Sequence, residues 1–274
     1  MSAAQLTYLF EPPNWEWVIT GNNFTFVLEG FLVNLQLAVI GIVLSLIFGL
    51  VLALLRISKL RLLSFPAGIW VDIWRNLPLI FIILYLALAV PSSWRQAYAD
   101  AIPDFLPDAL QNELVLGALL GLILYNSAVL CEIMRSGILS LDRGQHDAAA
   151  ALGLTYRQQM RFVILPQGLR RMVPATVSQL ITVNKDTTLV SIIAIQEVVR
   201  HGSSLTSAGF FGGVQAPILQ VFIMIGAFFV VVNLSLSRLS RRLEIRERRR
   251  TGTTLKRVKG LEDQVAAETD LTRP

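Results

Sequence analysis

Cysteine, histidine and charge are all scarce in this chain. A single cysteine, Cys131, stands among 274 residues, so no intrachain disulfide can form and the redox compartment stays open. It reads as a structural thiol within a helix. The two histidines, His146 and His201, have no company at metal-ligand spacing and read as polar loop residues. Paired carboxylates, a nucleophile elbow and a Ser/His/Asp arrangement are all missing, which removes hydrolytic chemistry. No G-x-x-x-x-G-K-[ST] phosphate loop occurs, so the chain cannot cradle nucleotide by itself. No Lys or Arg precedes Arg56, and the first apolar run starts too late, at Phe31, and runs too long for a secretory h-region. A cleaved signal is therefore not expected. No internal repeat is visible.

Apolar residues fill the space that charge leaves. They make up 54% of the chain, and the mean hydropathy of +0.58 places it in a membrane. A bilayer core needs about 20 mainly apolar residues per crossing helix, which residues 31–55 meet without a charge. Further spans read at 69–90, 114–134, 172–195 and 216–236. The second contains Asp72 and Arg75, and the fourth contains Asn184, Lys185 and Asp186, so hydropathy describes these two poorly.

The net charge of +5 suggests nucleic acid only superficially, because the basic residues gather at the ends of apolar segments. Topology accounts for them, since cytoplasmic flanks carry the excess of Lys and Arg. Arg56, Lys59 and Arg61 mark a first cytoplasmic turn; Asp100, Asp104, Asp108 and Glu113 mark an acidic external stretch; Arg135, Arg143, Arg157, Arg161, Arg170 and Arg171 mark the next cytoplasmic loop. The arginines from Arg238 to Arg250 stay inside only if 172–195 crosses. The expected architecture is an all-α membrane protein with five spans, an external segment 1–30, a membrane domain 31–240, and a cytoplasmic basic and polar tail 241–274, disordered after Arg250. Trp15, Trp17, Phe24, Phe26, Trp94 and Tyr98 suit either a membrane interface or loop packing.

The loop between the third and fourth spans is the informative region. Ala148 to Ala151 favour a helix, Asp147 is expected near its start, and Gly153 can end it in a left-handed conformation. A second short helix is expected from Thr155, a plausible N-cap, to Pro166, where the missing donor separates it from the next span. Two short helices outside the membrane make a knob suited to a groove.

Asp147-Ala148-Ala149, Gly153 and Leu165-Pro166 resemble the EAA loop of type I ATP-binding-cassette importer permeases, with Asp147 where that family usually has Glu. Arg75-Asn76-Leu77-Pro78-Leu79, Glu132-Ile133-Met134-Arg135-Ser136-Gly137-Ile138 with Gly144-Gln145, and Lys185-Asp186-Thr187-Thr188-Leu189 resemble the polar amino acid branch, in its order; within it, Arg75 to Pro78 and Cys131-Glu132 to Gly144-Gln145 look closest to glutamate/aspartate permeases. The resemblance implies that Gly144, Gln145, Asp147, Ala148, Ala149, Gly153, Leu165 and Pro166 form a coupling loop held in a separate ATPase subunit, which alone carries ATP-Mg. It also implies a second permease copy or paralogue, an extracytoplasmic binding protein that delivers substrate, and a bacterial cell membrane.

Charges near a bilayer centre cost at least ~2.5 to 3.5 kcal/mol on insertion scales, so they face a cavity or a partner. Lys185, with Thr182 and Thr188 on its face, can attract a substrate carboxylate, or it can pair with Asp72 or Glu132 and fix helix packing. Asp186 points about 100° away. Arg75 is placed to snorkel as readily as to meet substrate, and Asn126 can bond substrate or a neighbouring helix. Two other readings of the chain are a secondary transporter or channel, against which the missing inverted repeat weighs, and an integral membrane enzyme, for which no catalytic group stands out.

Overall fold

The computed structural model describes residues 10–19, 21–207 and 216–250, and among these every regular element is helical. The uncharged run 31–55 lies inside α1, Asn23–Arg56. The helix starts before its apolar stretch because its first turns have partners. Asn23 donates to the Trp17 carbonyl at 2.8 Å, Phe26 stacks on His201 at 4.0 Å, and Phe31 meets Phe228 and Phe229 at 5.4 and 5.0 Å. Trp17 is buried, whereas Trp94 stays exposed. His201, expected in a loop, is thus part of a packed aromatic seam.

The span expected over 69–90 is two helices, α2 (Arg61–Asn76) and α3 (Leu79–Ala89), bent by 103°. Pro78 causes the break. It has no N–H to give, and its ring drives the preceding residue out of the helical region, leaving Leu77 extended with ψ 136°. Helix α4 (Ser92–Ala101) and a short turn at Asp108–Gln111 then lead into α5, Leu114–Leu139. This helix is the axis of the molecule. One part of the core joins Leu37 of α1, Ile83 of α3, Leu122 of α5 and Val190 beyond them; another joins Ala53, Val71, Ala128 and Met134. Gly117 permits a close backbone approach, since a Cβ there would stand 2.4 Å from the Ala87 Cα. Small residues let helices meet where lipid supplies no hydrophobic drive.

After α5 come α6 (Arg143–Ala151), one turn at Tyr156–Gln158, a π-helical segment Gln159–Ile164, and α7 (Leu165–Asp186). A 3-10 segment Thr187–Ile193, α8 (Val198–Ser207) and α9 (Ile218–Arg250) complete the described chain. By length and composition α1, α5 and α9 can each cross a bilayer, and α2 with α3 qualifies as a broken span. Region 172–195 divides between α7 and the 3-10 segment. Residues 241–250, expected in the tail, continue α9, while the stretch expected to be disordered after Arg250 lies outside the described residues.

Candidate functional site

The knob between α5 and α7 is built from local chemistry. Asp142, not Asp147, caps α6: its carboxylate accepts from the Gly144 N–H at 2.9 Å. Asp147 sits mid-helix and exposed, so the expected contact of its charge with the helix start is not made. The signal for Asp142 was the acidic residue directly ahead of Arg143-Gly144. At the other end Gly153 has φ +75°, its N–H donates to Ala150 O at 2.9 Å, and Leu154 N–H donates to Ala149 O at 3.2 Å. That pair closes a Schellman cap. Thr155 starts the next turn, its N–H bonded to the Gln158 side chain at 2.8 Å.

Pro166 does not separate a second short helix from the next span. It lies in the first turn of α7, and the chain runs through the π segment directly into that helix. Pro166 is tolerated there because the first turn of a helix needs no intrahelical N–H donor. Leu165 packs beside Ile138, Leu141 and Ile164. Gln145 accepts from Gln167 at 3.1 Å, and Arg171 donates to Ser140 O at 2.9 Å, so knob and α7 are tied together. Ala149 is buried, whereas Ala148, Ala150, Ala151 and Leu152 are exposed. The α6 part of the knob therefore presents small side chains and ends on the apolar Leu152.

The charged residues separate into two groups. Glu132 receives Arg56 at 2.8 Å, Arg135 at 3.0 Å and Arg75 at 3.9 Å, while Asp72 receives Arg56 at 3.2 Å. Arg75 thus belongs to an arginine cluster around Glu132. Both carboxylates proposed as partners of Lys185 are occupied by arginines, so the packing pairs Lys185–Asp72 and Lys185–Glu132 are not formed. Lys185 is exposed near the C-terminus of α7, and no carboxylate among the described residues lies within ion-pair distance of it. Thr188 donates to Lys185 O at 2.8 Å and stands three residues on, a spacing that keeps it near the Lys185 face. Thr182 and Asp186 are half-buried beside them. Asn126 stands elsewhere: fully buried, it donates to Leu122 O and accepts from Gln179, each at 2.8 Å, which commits it to the α5–α7 seam.

A further group behind Lys185 escaped sequence reasoning. Asn34 of α1 donates to Thr187 Oγ1 at 3.1 Å and to Glu197 Oε2 at 3.0 Å, and accepts from Val198 N–H at 3.1 Å. Glu197 also accepts the Arg200 N–H at 2.9 Å, capping α8. Asn34, Thr187 and Glu197 are all fully buried. Asn34 was legible as a polar residue inside the apolar run 31–55, but nothing local marked Thr187 or Glu197 as its partners.

Residues 19–249 match the family described as "Binding-protein-dependent transport system inner membrane component". The chain belongs to that family. Among similar proteins is a probable glutamine ABC transporter permease of Bacillus subtilis, 37% identical over 82% of this chain and 95% of its own. A glutamate/aspartate import permease of Escherichia coli is 30% identical over 81% of this chain and 94% of its own. An amino acid ABC transporter crystallised with histidines superposes with a TM-score of 0.67 at 25% identity, covering 81% of this chain and 94% of that one. Membership makes the chain a permease subunit in a multi-pass bacterial membrane setting, with ATP hydrolysed by a partner ATPase rather than by the permease.

Proposed function

We propose that this permease forms the translocation path for a polar amino acid and couples it to the ATPase through the 142–166 knob. In this reading α7 with the 3-10 segment is the fourth of five crossings, the knob is cytoplasmic, and a second permease and an external binding protein complete the complex. The single observation that carries the path is Lys185: an exposed cation beside Asp186, without a carboxylate partner, where two threonines share its face. A zwitterionic substrate supplies both missing charges, its carboxylate to Lys185 and its ammonium to Asp186. The relatives named for glutamine and for glutamate/aspartate support a polar amino acid, and the motif wording makes glutamate or aspartate the first substrates to test.

The test uses the complete transporter in vesicles with labelled glutamate, aspartate, glutamine and arginine. A charge-assisted hydrogen bond contributes about 1.5–3 kcal/mol, so Lys185→Met lowers transport of the cognate amino acid roughly 10- to 100-fold. Assembly stays intact. Transport at the wild-type rate would remove Lys185 from the path.

A further inference from the structure

The end of α1 and the start of α2 border an open groove of about 780 Å³ that the proposed transport path does not use. It is lined by Arg56, Arg61, Arg135 and Ser64 and by the apolar residues Leu62 and Phe65. The charge there does not cancel. Arg56 and Arg135 share Glu132 with Arg75, Arg56 alone also reaches Asp72, and Arg61 meets no carboxylate among the described residues. Leu62 is 86% exposed and Phe65 70% exposed, so an apolar shelf flanks the cationic walls. No side chain caps the first turn of α2, which leaves its dipole end facing the same region.

We propose that this groove binds the headgroup of an anionic phospholipid, with the phosphate among Arg56, Arg61 and Arg135 and the start of an acyl chain on Leu62 and Phe65. Arginine matches phosphate oxygens in a planar, bidentate way. A soluble phosphate satisfies the guanidiniums but leaves the shelf bare, so the lipid is the occupant that uses the whole site. The depth is right for a lipid, because the groove lies where the long apolar helix α1 ends. It also lies on the knob side: Ile57 packs with Ile138, Leu141 and Ile164, and the Lys59 ammonium stands 4.4 Å above the Tyr156 ring. The cytoplasmic leaflet as the source of that lipid rests on the cytoplasmic placement of the knob proposed above.

Native mass spectrometry of the intact transporter, titrated with phosphatidylglycerol, phosphatidylcholine or inorganic phosphate, tests the site. Arg61 is the residue to change, since it holds no ion pair that folding needs. Wild type retains phosphatidylglycerol over phosphatidylcholine, and Arg61→Gln weakens that retention about fivefold, the equivalent of ~1 kcal/mol for one basic residue at an anionic surface. Arg61→Lys, which keeps the charge but loses the planar fork, retains the lipid better than Arg61→Gln. Equal retention of both lipids, or no change in Arg61→Gln, overturns the proposal. Displacement of phosphatidylglycerol by millimolar inorganic phosphate overturns the lipid assignment and makes the pocket a soluble-anion site. Sidedness is read separately on Arg61→Cys, where the buried Cys131 does not compete: labelling by an impermeant maleimide in inside-out vesicles supports the cytoplasmic leaflet. Labelling only in right-side-out vesicles refutes that leaflet while the headgroup result stands.

Discussion

Glu132 and Lys185 were both legible as charges inside apolar sequence, yet they do different work. Glu132 is ringed by three arginines on three helices, whereas Lys185 is left with none of the partners considered for it. Removing one member of a partly buried ion cluster strands the others. Glu132→Gln is therefore expected to lower the yield of assembled transporter in a membrane pull-down, and Lys185→Met to leave it unchanged. The opposite pattern would move Lys185 into a packing role. Asn34 supplies a second case. It serves Thr187, Glu197 and the Val198 N–H from a fully buried position, and Asn34→Ala leaves buried groups unsatisfied at about 1–3 kcal/mol each. The transporter should melt several degrees lower in detergent. An unchanged melting temperature would show that the network does not brace α1 against α8.

The knob is a product of its caps as much as of its helices. Alanine propensity makes α6 easy to form, but Asp142 and Gly153 fix where it starts and stops. A Cβ at Gly153 meets nothing within 4 Å, so any penalty there comes from the backbone conformation alone. Gly153→Val forces a β-branched residue into the left-handed region at ~1–3 kcal/mol, whereas Gly153→Asn tolerates it. Transport and substrate-stimulated ATPase activity should fall in the valine variant with normal membrane insertion, and the asparagine variant should stay near wild type. Equal activity in both would detach the turn from coupling. At α2 and α3 the stretch expected as one span is bent by 103°. Hydropathy sums over 69–90 and registers one apolar span, but a moving average is blind to the direction change that Pro78 imposes.

Among the described residues α1, α2, α3 and α7 gather on α5, while α9 packs against α7 and α8, and broad apolar faces of α1 and α9 are left exposed for lipid or a second subunit. The knob, the arginine cluster and the far end of α9 are expected on one side of the membrane. A reporter active only in the cytoplasm should be active when fused after Arg157 or Arg246 and silent after Asp104. Activity at Asp104, or a split between Arg157 and Arg246, would break the topology in which α7 crosses.

Composition and short-range pattern by themselves determined the membrane class, the all-helical content, the family and the site of the knob. Each depends on transfer energies, propensities or motif wording that act over a few adjacent residues. Tertiary structure decided the rest. Which carboxylate an arginine meets depends on how helices distant in sequence come together, so the Arg56–Glu132–Arg135 cluster and the unpaired Lys185 could not be told apart from the chain alone. The Asn34–Thr187–Glu197 network joins residues separated by more than 150 positions, as the Asn34–Thr187 bond does across 153. No local pattern carries such a contact, because the desolvation that makes it necessary exists only once α1, α7 and α8 have packed.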